Sequence, residues 1–245
     1  MKSGLLPSFV LLLAIAALHV SLVAQDQTRT QTSKTKPSVV ASAATLISAP
    51  EQAVIDEINM ARTNPSAYVK FLEDFKKYYR GKEIHYPDGV VLVTIEGGGT
   101  VDEAIAFMRT LKPMPPLELR PGMVLAAKDH LNDLVKTGRS GHTGSDGSKA
   151  GDRFDRYGSW LESLGEDIVY FSRAAREDVI SLIIDDGTST RGHRKNIFQQ
   201  NFRVVGIALS APKKSGTVCV ITFAGGYKDK DLTKPKTTTP AATKF

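Results

Sequence analysis

The chain has 245 residues, 41% of them hydrophobic and 24% charged, with a formal net charge of +6 at pH 7. The surplus sits at the two ends: residues 51–226 carry 23 Lys and Arg against 23 Asp and Glu, so the folded part lacks the basic face that a nucleic-acid partner requires. A single cysteine, Cys219, excludes an internal disulfide framework, and stability must come from a hydrophobic core, for which about 175 residues suffice.

At the N-terminus, Lys2 precedes an apolar run from Leu5 to Val23, and small residues follow near Ala24. This pattern predicts a secretory signal peptide over residues 1–24. The alternative is a single membrane anchor. Pro7 and His19 interrupt the run and no basic stop-transfer cluster follows, so the mature chain is expected to carry no transmembrane helix. Residues 25–48 are rich in Thr, Ser, Ala and Lys and read as a flexible linker. Residues 228–245, with the same character, read as a disordered basic tail, leaving a domain over 49–227.

In "EQAVIDEINMARTNP", Val54, Ile55, Ile58 and Ala61 or Arg62 recur at helical spacing. Asn64 and Pro65 then start a second helix as cap and first residue. "HYPDGVVLVTIEGGG" reads as a loop with a short strand, and Thr100 with Glu103 as a capping box ahead of "VDEAIAFMRTLK". "PMPP" ends that helix. "RPGMVLAAKDHLNDLVKTG" predicts a long helix that buries Val124, Leu125, Leu131 and Leu134 and stops at Gly138. A Gly/Ser-rich loop follows, and later a helix capped by Ser172 in "SRAAREDVISLIIDDG". "FRVVGIALSAPKKSGTVCVITFAGG" predicts a two-stranded hairpin with Cys219 buried in its second strand. Helices feeding into a terminal antiparallel sheet indicate a layered α/β domain, distinct from a doubly wound one.

Chemistry-bearing residues collect in three glycine-flanked segments: "SGHTGSDGS" with His142, "LGEDIVY" with Glu166, and "IIDDGTSTRGHRKNIF" with Asp185, Asp186 and His193. Glycine permits the tight turns by which loops bring side chains into a shared cleft. Two imidazoles and one or two carboxylates can bind a divalent cation such as Zn2+, or work as acid–base partners. The separations of 24 and 27 residues fit no local motif such as HExxH. Ser140, Ser145 and Ser148 flank His142, but glycine-rich loops use serine freely and none stands out as a nucleophile. A metal-activated water would remove the need for one. His130 and Asp129 read as packed or surface helix residues, His85 has no support as a site residue, and Trp160 and Tyr157 read as core.

The ordered set "GHTGSDGS", "RYGSWLESLGEDIVY", "GHRKNIF", "FRVVGIALS" and "CVITFAGG" resembles the CAP superfamily, the SCP-like extracellular domain of cysteine-rich secretory proteins, venom antigen 5 and plant pathogenesis-related 1 proteins. The likeness runs from about Glu51 to Tyr227 and is to the disulfide-free bacterial branch. It implies an α-β-α sandwich with a small central antiparallel sheet, and a cleft holding two histidines and two acids. Carried over, these are His142, Glu166 and His193, with Asp186 the best match to the second acid and Asp185 the next. The chain departs from the family pattern where Asp167 replaces the asparagine of Gly-Glu-Asn and where "IIDD" replaces Trp-x-x-Glu, a carboxylate one methylene shorter. The resemblance implies a secreted protein whose cleft takes a divalent cation or an extracellular or cell-surface ligand, with no organic cofactor, and a non-catalytic role is the first reading because catalysis is not established across the family. A metal-dependent or acid–base hydrolase of peptides or cell-wall material is the second reading.

Overall fold

A computed structural model describes residues 45–211 and 217–231. The expected signal peptide at 1–24, and most of the expected linker and tail, lie outside the described residues. Helix α1 (Ala49–Thr63) opens with a capping box in which the Glu51 carboxylate accepts from Ser48 N at 2.6 Å. The other oxygen of Glu51 accepts from Leu209 N at 2.9 Å, so the cap also ties the helix to a strand 158 residues away. Asn64 caps α2 (Pro65–Lys76) through its side chain, as its position before Pro65 indicates. Three short strands, β1 (Tyr79–Arg80), β2 (Glu83–His85) and β3 (Val91–Val93), then form a small antiparallel sheet.

Helix α3 (Gly99–Thr110) corrects the expected capping box. The helix starts early enough to enclose Thr100, whose hydroxyl donates to Gly97 O, while the Glu103 carboxylate receives Arg191 and Arg194. Strand β4 (Glu118–Leu119) leads into α4 (Pro121–Thr137), which begins on proline and ends at Gly138 in the left-handed region. Helix α5 (Ala150–Tyr157) and the long strand β5 (Gly158–Tyr170) follow. Helix α6 (Ala175–Ile184) is not capped by Ser172, because that hydroxyl donates instead to the carboxylate of Asp178. Helix α7 (Gly192–Ile197) precedes the hairpin of β6 (Val204–Leu209) and β7 (Val218–Asp229).

The main sheet has the order β4-β6-β7-β5, antiparallel except where β4 pairs parallel with β6. Side chains alternate across it. Val205, Ile207, Cys219, Ile221 and Phe223 face α1, α6 and α7 in the largest core cluster. Ala208, Val220 and Ile168 face α4 on the opposite side. Helices therefore cover both faces, and the layered α-β-α arrangement follows from strand alternation. At Gly206 the α4 backbone comes so close that an added Cβ would lie 2.3 Å from the carbonyl carbon of Met123. Cys219 is fully buried, and burial raises its thiol pKa. No helix among the described residues is long and apolar enough to cross a membrane.

Candidate functional site

Neighbouring residues on β5 send their side chains to opposite faces of the sheet, and this separates Glu166 from Asp167. Glu166 pairs in register with Thr222, whose hydroxyl reaches Met123 O on α4, so Glu166 belongs to the α4 side. There its Oε1 lies 3.0 Å from His142 Nδ1. Arg153 Nη2, from α5, donates to both carboxylate oxygens, at 2.7 and 3.0 Å. The same guanidinium donates to Ser148 O at 2.8 Å and His142 O at 3.1 Å, pinning the loop between α4 and α5 over the carboxylate. Tyr170 OH accepts from Gly141 N at 2.7 Å at the other end of that loop.

Burial alone would raise the Glu166 pKa, but the His142 hydrogen bond and the Arg153 charge outweigh it and hold the carboxyl below its ordinary value. An ionised Glu166 accepts only, so His142 Nδ1 is the donor and, in the neutral ring, Nε2 is the acceptor. The His142 side chain is 55% exposed, which leaves that acceptor accessible.

His130 is also part of this group. It is fully buried on α4, with Nε2 2.9 Å from Gly141 O and 3.7 Å from Glu166 Oε1. Burial lowers its pKa, so the ring is neutral, and its Nδ1 meets no partner among the described residues. A sequence signal existed: His130 lies four residues from both Ala126 and Leu134, on the apolar face of α4. Arg153 had none, since nothing distinguishes it from Arg156 on the same short helix.

His193 forms a second pair, with Asp185. Its Nδ1 lies 2.7 Å from Asp185 Oδ1 and its backbone N donates to Oδ2 at 2.9 Å. Asp185 ends α6 in the left-handed region, φ 54, which turns its side chain inward to 3% exposure. That turn corrects the assignment of Asp186 as the second acid. Asp186 points the other way and accepts from the backbone of Ile95 at 2.6 Å and Glu96 at 2.9 Å, a loop staple far from either imidazole's hydrogen bonds. The hydrogen bond that His193 donates to the Asp185 carboxylate raises the His193 pKa against the effect of burial. Behind it Asp167, fully buried, accepts from Asn196 Nδ2 at 2.6 Å, and burial pushes its carboxyl up to about 8.

Three of the side chains named from the sequence, His142, Glu166 and His193, thus form two imidazole–carboxylate pairs flanking β5, with Asp185 standing in place of Asp186. They do not assemble into one tetrad. Among the described residues no group of three or more His, Cys, Asp or Glu side chains is placed to hold a metal ion. The donor set does not fit a divalent cation either: both Glu166 oxygens already face the buried Arg153 guanidinium, a resident positive charge where the metal would sit. Two of the loop serines are engaged elsewhere. Ser145 donates its hydroxyl to Asp133, and the Ser148 oxygen receives Arg153 Nη1 at 3.4 Å.

His142 and Glu166 open onto a cavity of about 570 Å³, walled also by Thr143, Lys149, Asp155 and Trp160. Trp160 is half-buried, a cavity wall more than a core residue, and Tyr157 is half-buried with its hydroxyl on Asp129 at 2.8 Å.

Residues 103–223, which contain both pairs, match the family model described as Cysteine-rich secretory protein family, CAP. Among solved structures, an outer surface protein from Borrelia burgdorferi is similar at 15% identity and a TM-score of 0.40, over 48% of this chain and 80% of that one. An extracellular protein containing a SCP domain from Bacillus anthracis is 16% identical with a TM-score of 0.37, over 52% of this chain and 37% of its own. A cysteine-rich secretory protein from Staphylococcus aureus is 12% identical with a TM-score of 0.36, over 52% and 38%. The chain thus spans well under half the length of the last two. No curated protein sequence matches it.

Proposed function

From the match of residues 103–223 to the CAP family model, we propose that the chain is an exported CAP-domain binding protein whose His142–Glu166 cavity holds an extracellular or cell-surface ligand without transforming it. The observation that carries this reading is the Arg153–Glu166 pair. A general acid or base must exchange its proton near the working pH. Glu166 is buried, ionised and locked by a guanidinium, which suits a carboxylate that orients His142 and not one that shuttles protons. The accessible His142 Nε2 then serves as a hydrogen-bond acceptor at the cavity mouth. Export rests on the signal-like N-terminus.

The hydrolase reading draws on one feature, a carboxylate-oriented imidazole with a free Nε2. A panel of peptides and cell-wall glycans, assayed with wild type and Glu166→Gln, separates the two. Binding without turnover is expected. Turnover that falls at least a hundredfold in Glu166→Gln would replace the binding reading with catalysis.

A further inference from the structure

We propose that the cavity beside His142 is a saccharide subsite, with Trp160 as the wall against which a neutral sugar ring stacks. The inference rests on the binding function proposed above and names the ligand class. Trp160 is the only tryptophan in the sequence. It packs against the cluster of Met123, Phe154, Val204, Ala224 and Tyr227, and it also lines the cavity. A large aromatic held rigidly on one side and open on the other is costly to leave in water. Such a ring is pre-organised for a flat apolar partner, since little side-chain freedom remains to be lost on binding.

Gly151 lies against the edge of the indole. A Cβ at Gly151, on α5, would meet Leu164 Cδ2 at 3.3 Å and Trp160 Nε1 at 3.8 Å. The absence of a side chain there keeps the approach to Trp160 clear. The rim alternates acceptors and donors: His142 and Asp155 on one hand, Thr143 and Lys149 on the other. An apolar plane edged by both donors and acceptors matches a pyranose, which presents a C–H face and a rim of hydroxyls. A lipid chain needs a continuous apolar tunnel, whereas this cavity is floored by the buried Glu166. Arg153 offsets Glu166, while Lys149 stands against both Asp152 and Asp155, so the lining carries a surplus of negative charge that disfavours a polyanion. The volume of about 570 Å³ lies within the range of small-ligand sites.

The test uses Trp160 fluorescence as a direct reporter. The purified domain is titrated with the β-1,4-linked N-acetylglucosamine trimer, cellotriose and maltotriose. Parallel arms use a neutral tripeptide and decanoate. A saturable change in emission with at least one sugar is expected, with roughly tenfold weaker calorimetric affinity in Trp160→Ala, partial retention in Trp160→Phe, and loss in Gly151→Leu, which fills the cavity. Circular dichroism confirms that each variant folds. If only the tripeptide or decanoate gives a saturable, Trp160-dependent signal, the sugar assignment is overturned while the binding function stands. If no arm perturbs Trp160 and calorimetry shows no heat with any probe, the subsite is overturned. In that case binding elsewhere, tested by His142→Ala against a broader ligand panel, decides the wider reading.

Discussion

Arg153 lies across the carboxylate of Glu166, 2.7 Å from Oε2, with both side chains no more than 3% exposed. A buried ion pair that loses one member leaves an uncompensated charge in a low-dielectric setting. Arg153→Met and Glu166→Gln are each expected to lower the free energy of unfolding by roughly 3–5 kcal/mol in urea melts. The double variant is expected to cost less than the sum of the two. Additive losses would show that the two groups do not act as a pair.

Asp167 gives a pH signature. Its carboxyl titrates at about 8 in the folded chain, against an ordinary value of 3.8. Between those values the folded state holds a proton that the unfolded state has lost. The contribution to stability is therefore full below pH about 4 and declines as pH rises toward 8. Asp167→Asn keeps the shape and the Asn196 contact but removes the charge. Melting curves at pH 4, 6 and 8 should show the variant matching wild type at pH 4 and exceeding it by a few kcal/mol at pH 8. A wild-type advantage at pH 8 would contradict the burial argument.

The assignment of Asp185 over Asp186 is tested by imidazole titration. Asp185→Asn removes the hydrogen bond that raises the His193 pKa, so the His193 transition followed by NMR should move to lower pH. In wild type the stabilisation from this pair is full below the ordinary histidine value and is lost as pH rises through the raised one. Asp186→Ala should leave the His193 transition in place and instead cost about 1–2 kcal/mol by releasing the backbone amides of Ile95 and Glu96.

Zinc provides a fourth check. With Arg153 seated on Glu166 and the imidazoles in separate pairs, calorimetric titration is expected to show no tight site that both His142→Ala and His193→Ala abolish. A micromolar or tighter site lost in each single variant would require Arg153 to leave Glu166 and the two pairs to converge.

The elements that depend on local patterning were legible in the sequence. Asn64–Pro65 marked a helix start, Gly138 a helix end, and the apolar run around Cys219 a buried strand. The failures came where a polar side chain chose a distant partner over a local one. Thr100 and Ser172 both looked like caps, but Glu103 was recruited by two arginines some 90 residues away, and Ser172 by Asp178. The same cause hid half the site. His142 and Glu166 were visible as a motif, yet the choice between Asp185 and Asp186 hinged on a single left-handed residue at the end of α6. Arg153 was invisible because a short polar helix does not announce which of its arginines turns inward.

Cys219, fully buried near the start of β7 where it pairs with Leu209 at the end of β6, gives the hairpin a built-in clock. Its thiol has no route to reagent while the ends of β6 and β7 remain zipped between two helical layers, so alkylation counts openings of that pairing. With no cystine among the described residues, that clock should run at the same rate in oxidising and reducing surroundings.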